Sequence, residues 1–199
     1  MSSLNFNYNH NHFTKTIQLY GDRAGGEGNF EFAGLAELQN QKLLLVHGNI
    51  QSLEQTHDWR RLYRLIKLAE RLNLPATFWN LHILKSATRL YNTSLALGTA
   101  IRDIQTEILK FPYPIISVFD ENYDWGDHLV EYIPLDGSVI VLLNEQIPTE
   151  PSKLKQNHLK IIHKQEDLQM EILKLLQDLS NIPKDELIIR RLDSFNTPK

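Results

Sequence analysis

The stretch DWRRLYRLIKLAERLNLPATFWN, Asp58 to Asn80, decides the fold. Trp59, Leu62, Leu65, Ile66, Ala69 and Leu72 recur at three- and four-residue intervals, while Arg60, Arg61, Arg64, Lys67 and Arg71 fall largely on the other faces. That is the pattern of an amphipathic helix. Asp58 is placed to cap it, with its carboxylate at the positive end of the helix dipole. Pro75 cannot continue the helix, and Ala76 to Asn80 reads as a strand.

The pattern extends in both directions. Upstream, Phe30 to Ala36 and Lys42 to Val46 are short apolar runs around Leu38-Gln-Asn-Gln41, a β-hairpin reading with a weak turn signal. Downstream, a second helix is expected from about Ser94 to Lys110, with Leu97, Ala100, Ile101, Ile104 and Ile108 on one side. Pro112 and Pro114 stop it, Ile115 to Phe119 is the next strand, and Gly137 to Leu143 another. Strands alternating with helices argue for parallel pairing through right-handed crossovers. Nearly continuous apolar strands suit a sheet covered on both faces.

After Pro148 and Pro151 the chain is expected to be helical to its end. Leu168, Ile172, Leu175, Leu176 and Leu179 repeat like a packing seam, read first as core and second as a subunit contact. Pro183 to Glu186 looks like the first turn of a final helix. The expected organisation is a polar N-terminal tail over 1–14 and one domain over 15–199. Its core covers 15–147 and its C-terminal helices 152–199. A metal site at His10 and His12 is weaker than a solvated tail.

With 199 residues, 42% hydrophobic and 23% charged, the chain has the composition of one globular domain. A net charge of −3 gives no basic footprint for nucleic acid. With no cysteine there is no disulfide, thiolate zinc site or cysteine nucleophile. No run approaches the ~20 apolar residues of a membrane span, so the expectation is a cytoplasmic protein without a membrane partner.

Several segments, in order, resemble one family. Leu19-Tyr-Gly-Asp-Arg23 is similar to an L-x-GDR segment, and Phe32-Ala-Gly-Leu-Ala36 with Leu43 to Gly48 to a VGGLA hairpin and the strand after it. Arg64-Leu-Ile-Lys-Leu-Ala-Glu-Arg-Leu-Asn-Leu-Pro75 matches R-L-M-x-L-A-E-K-F-x-x-P almost position for position. Phe111 to Ile116 resembles L-P-V-P-I-I, Ile182 to Leu187 resembles L-S-P-E-E-L, and Arg191 to Phe195 resembles R-x-x-K-F. Together these resemble the carboxyltransferase alpha subunits of acetyl-CoA carboxylase, members of the crotonase superfamily. The resemblance implies a crotonase-like α/β spiral with a mostly parallel, stacked sheet and a helical C-terminus. Relative to the family, the segment between hairpin and first helix is trimmed. Several dozen residues are also missing between Leu143 and the C-terminal helices.

The two loops that carry the family's chemistry are altered. In the family they present backbone N–H groups to anionic oxygens during carboxyl transfer from carboxybiotin to an acyl-CoA. Alpha supplies the biotin side, and beta the CoA side with a cysteine-bound zinc. Glycine lets the backbone approach such an oxygen closely. Asn80 to Ala87, which corresponds to a D-T-P-G-A-Y-P-G run, contains no glycine or proline. In Asp120-Glu-Asn-Tyr-Asp-Trp-Gly-Asp-His128, Tyr123 and Asp124 stand where the family has adjacent glycines, and Asp127 replaces another. An anion beside a developing oxyanion repels it, so the expectation is that carboxyl transfer is lost.

The same loops make Asn80, His82, Ser86, Tyr123, Trp125 and Gly126 the candidate ligand-binding residues. Glu121, Asp124 and His128 are candidate acid/base residues for altered chemistry, although an Asp/Asn/Gly-rich turn is most often solvated. Asp124, Asp127 and His128 could bind a metal, but no metal is expected. Gly25-Gly-Glu-Gly28 lacks the lysine and following helix of a phosphate loop. His158 and His163 are five apart, off the helical ligand spacing, and Lys85 and Arg89 read as surface charge before CoA-phosphate contacts. The leading expectation is an oligomeric structural or regulatory module, pairing with itself or with a carboxyltransferase-type subunit. The alternative is an acyl-CoA- or biotin-binding protein or enzyme, including an active carboxyltransferase subunit. No cofactor is expected; CoA thioester or biotin follows from the resemblance alone.

Overall fold

The structure, a computed structural model, describes residues 12–20, 28–49, 52–81, 94–119, 135–141, 158–164 and 167–196. Their strands are β1 (Lys15–Gln18), β2 (Phe32–Leu38), β3 (Gln41–His47), β4 (Ala76–Trp79), β5 (Ile115–Phe119), β6 (Gly137–Val141) and β7 (Leu159–Ile162). Their helices are α1 (Thr56–Leu72), α2 (Leu95–Lys110), α3 (Leu168–Ser180) and α4 (Lys184–Asn196). One sheet takes the strands in chain order. β1, β2 and β3 pair antiparallel, and β3 through β7 run parallel. No helix among the described residues is long and apolar enough to cross a membrane.

The expected hairpin is β2–β3, with Leu38 opposite Gln41. Its two-residue turn is Gln39-Asn40, with φ of 46° and 74°. Two residues of positive φ give a turn whose twist matches that of the strands, and asparagine tolerates this best. β3, β4 and β5 then step across the sheet in one direction. Crossovers of one hand must therefore lay α1 and α2 on the same face. They do: both helices pack with Leu44, Val46, Ala76, Phe78 and Ile115. Lys67 of α1 reaches Glu107 of α2 at 2.5 Å. The other face, with Leu43, Leu45, Trp79, Ile116, Val118, Val139 and Val141, is covered by Leu168, Ile172, Leu175, Leu176 and Leu179 of α3. The leucine seam is thus core, and the sheet is covered on both faces as its uninterrupted apolar strands require.

Three expectations are corrected. Asp58 is not the helix cap: α1 begins after Gln55, and Asp58 sits in its first turn with its carboxylate accepting the Gln55 N–H at 3.0 Å. An aspartate three residues past the cap completes a capping box, so it still answers the free donors of the first turn. The chain from 152 on is not all helix, because Leu159–Ile162 forms β7 parallel to β6. Its four residues include two isoleucines, too short a run for a seam and well suited to pairing with the otherwise open edge of β6. The end of the proposed tail is docked. His12 stacks on Trp79 at 5.5 Å, Phe13 meets the same indole edge-on at 5.9 Å, and the Thr14 N–H bonds the Glu37 carbonyl at 2.9 Å. Covering a tryptophan face removes apolar area from water, which offsets part of the freedom these residues lose on docking.

α4 is fastened by one buried ion pair. Arg191 is 1% exposed, and its Nε and Nη2 bind Asp136 Oδ1 and Oδ2 at 2.8 and 2.5 Å. Its remaining N–H groups reach the carbonyls of Ile108 at 3.0 Å, Tyr113 at 2.6 Å and Phe111. Asp136 Oδ2 also accepts the Ile115 N–H at 2.7 Å. Burial pushes the Asp136 carboxyl pKa up, opposed by the guanidinium and that N–H. Arg191→Met removes the charge that pairs with buried Asp136, and is predicted to cost about 3–5 kcal/mol, the usual penalty for removing one partner of a buried pair. Urea unfolding, read as a lowered midpoint at unchanged slope, measures it.

Candidate functional site

Ligands of α/β sheets gather at the carboxyl ends of parallel strands. Here the described part of that edge includes His47-Gly48 at the end of β3, Trp79-Asn80-Leu81 at the end of β4 and Phe119 at the end of β5. Both altered loops leave from it: residues 82–93 after β4, and 120–134 after β5. Of the candidate site residues, the structure places Asn80. His82, Ser86, Glu121, Tyr123, Asp124, Trp125, Gly126 and His128 lie outside the described residues, as do Lys85, Arg89 and Asp127.

Asn80 is buried in the left-handed region, with φ 45°. Asparagine tolerates this conformation, which turns the chain sharply out of the sheet. Its N–H bonds the Val118 carbonyl at 2.8 Å, and the Gly48 N–H bonds the Trp79 carbonyl at 2.8 Å. These two backbone donors are therefore spent on neighbouring strands and cannot also face a developing oxyanion. The strand exits lie against one another. A Cβ on Gly48 would stand 2.8 Å from the Asn80 carbonyl oxygen and 2.9 Å from the Leu81 Cα. Here glycine serves close packing of protein backbone against backbone.

His47, which the sequence reading passes over, is buried at this edge. Its ring meets Trp79 edge-on at 6.3 Å, and Nδ1 lies 3.6 Å from Glu31 Oε2. Glu31 precedes Phe32, the residue paired with His47, so the contact closes the open end of the hairpin. Strand alternation could have revealed it, because a histidine one step past Val46 must lie on the Trp79 side of the sheet.

The other sequence candidates are structural where the structure describes them. The N-terminus of α1 already holds an anion of its own. The Asp58 carboxylate is fully buried and accepts the Asn29 N–H at 2.9 Å as well as that of Gln55. Gly28, with φ 76°, stands so close that a Cβ would lie 2.9 Å from Asp58 Oδ1. A phosphate brought there would meet this carboxylate. Arg61 donates to the Leu19 carbonyl and lies over Phe30, which ties the chain before β2 to α1. His158 faces Arg190 at 3.4 Å. Among the described residues, no three His, Asp or Glu side chains are grouped to hold a metal.

No protein-family model and no curated protein matches this sequence. Solved structures do. Transcarboxylase 12S, described as a hexamer with methylmalonyl-coenzyme A and methylmalonic acid bound, matches with a TM-score of 0.42 and 14% identity over 85% of this chain and 31% of its own. The same protein with hydrolysed methylmalonyl-coenzyme A gives 0.43 and 8%, over 88% of this chain and 32% of its own. The beta subunit of P. aeruginosa geranyl-CoA carboxylase gives 0.40 and 9%, over 92% of this chain and 38% of its own. The chain thus spans about a third of the length of these structures. Likeness at this level bears on neither substrate nor partner.

Gly48→Ala is predicted to destabilise the protein by about 1–3 kcal/mol, since overpacking forces the backbone to move. The Asn80 amide resonance should shift with it, and a heteronuclear NMR spectrum of the variant measures both fold and shift.

Proposed function

We propose that this chain is a crotonase-like, carboxyltransferase-alpha-like protein that lacks carboxyl transfer and acts as an oligomeric structural or regulatory module. The reading rests first on the ordered run of resembling segments. Apart from Leu19 to Arg23, of which 21–23 lie outside the described residues, the segments coincide with elements of the fold: Phe32 to Ala36 is most of β2, and Arg64 to Pro75 is the second half of α1 with its exit. Phe111 to Ile116 leads into β5, Ile182 to Leu187 opens α4, and Arg191 to Phe195 begins at the arginine that fastens it. The superhelical spiral of the family, a cytoplasmic location and a carboxyltransferase-type partner subunit belong to this proposal.

The observation that carries the loss of chemistry is the residue set in the two loops. Residues 80–87 have neither glycine nor proline, and Tyr123 and Asp124 replace adjacent glycines. The committed N–H groups of Gly48 and Asn80 support the same reading. Removing one oxyanion donor typically costs about 2.7–4 kcal/mol of transition-state stabilisation. A carboxylate beside the developing oxyanion adds repulsion to that loss.

The second reading is an acyl-CoA- or biotin-binding protein, or an enzyme, using Glu121, Asp124 and His128. It draws on the density of functional side chains in the acidic turn. One set of measurements separates the two. The module reading predicts a defined oligomer, or a complex with a carboxyltransferase beta subunit, by analytical ultracentrifugation. It also predicts no biotin-dependent decarboxylation of malonyl-CoA by that mixture and no calorimetric binding of acetyl- or malonyl-CoA. A monomer with saturable CoA-thioester binding contradicts it and supports the second reading. Turnover with the beta subunit would restore the family's activity to this chain.

A further inference from the structure

Residues 12–14, ahead of β1, are held by a contact that centres on an imidazole. His12 stacks on the fully buried Trp79, with ring centroids 5.5 Å apart and planes at 26°. Gln169 of α3 donates from Nε2 to the His12 carbonyl at 3.1 Å, and the same nitrogen lies 3.4 Å from His12 Nδ1. Gln39, in the hairpin turn, donates from Nε2 to Gln169 Oε1 at 3.2 Å. These contacts fix the orientation of the Gln169 amide from both ends. Turned over, it would set oxygen against the His12 carbonyl and nitrogen against the Gln39 amide nitrogen. With a donor facing it, Nδ1 is the acceptor and His12 carries its proton on Nε2.

We propose that His12 is a pH-sensitive latch: the neutral imidazole docks residues 12–14 onto Gln169 and Trp79, and protonation at Nδ1 releases them. A proton on Nδ1 would place two donors face to face, and Gln169 cannot rotate to accept without losing its other two bonds. The surrounding charges come from the hairpin and from α3. Glu31 and His47 lie at the Trp79 end, Glu37 and Lys15 beside Thr14, and Asp167 and Glu171 flank Gln169 in sequence. The carboxylates and the indole face favour an imidazolium. The fixed amide donor opposes it at Nδ1 itself, at hydrogen-bonding distance.

The sign follows from linkage. A histidine held neutral titrates lower when docked than when free. Docking is then fully present above the free value, about 6.5, and is lost as pH falls through the docked one. Release would uncover Trp79 on β4, the strand whose exit carries Asn80.

The test is an NMR titration of the His12 ring in the full chain, with hydrogen exchange at the Thr14 amide reporting docking. The expected midpoint lies below about 6.5, and Thr14 opening, corrected for intrinsic exchange, rises about tenfold between about pH 7.5 and about pH 5.5. His12→Phe keeps the ring stack and should give a flat profile. Gln169→Glu presents an acceptor to Nδ1 and should raise the His12 midpoint. A midpoint at or above the ordinary value in the natural chain, or identical profiles for it and His12→Phe, overturns the proposal.

Discussion

The fold depends on a single guanidinium. Among the described side chains of α4 only Leu187 and Arg191 are buried, so the helix has almost no apolar face with which to hold itself. Arg191 instead gathers three parts of the chain that are remote in sequence. These are the last turn of α2 through Ile108 and Phe111, the link to β5 through Tyr113, and the start of β6 through Asp136. All five N–H groups of the fork find acceptors, which a lysine could not arrange. Such a pair is weak evidence of net stability, since both charges lose water. Its contribution here is positional. Asp136 also accepts the Ile115 N–H, so the clasp sets where β5 and β6 begin relative to each other.

That position governs the candidate site from the opposite end of the sheet. β5 and β6 are held at their starts, and the segment between them, 120–134, leaves from Phe119 and returns at Leu135. The strands before them meet at Gly48 and Asn80, where backbone packs on backbone. Among the described residues at this edge, the N–H groups of Gly48 and Asn80 point into the sheet and bond neighbouring carbonyls.

Much of this was legible in the sequence, and the failures have physical causes. Helices with a strong stripe, such as α1 and α2, and strands bounded by prolines, such as β4 and β5, follow from local pattern because local pattern decides them. β7 does not, since Leu-Lys-Ile-Ile becomes a strand only when β6 offers a partner, and that is a long-range fact. His12 and Phe13 look like tail for the same reason: their partner, Trp79, lies over sixty residues away. Asp58 was placed within one turn of its role, the usual error at a helix end. Of the Arg191–Asp136 pair only the arginine stands in a family-like segment, because no periodicity links an arginine in the last helix to an aspartate before β6. In the candidate site, the absence of glycine and proline from residues 80–87 can be read directly, whereas His47 and the committed N–H groups of Gly48 and Asn80 required coordinates.

The proposed loss of carboxyl transfer requires that the turn from Asp120 to Leu129 form no cradle for an anionic transition state. The most direct measurement is the experimentally determined backbone path of those ten residues in the full chain. The account predicts that Tyr123 or Trp125 fills the space at the carboxyl edge and that no two N–H groups converge on an open cavity. Two N–H groups aimed at one point, with room for an oxygen between them, would contradict it.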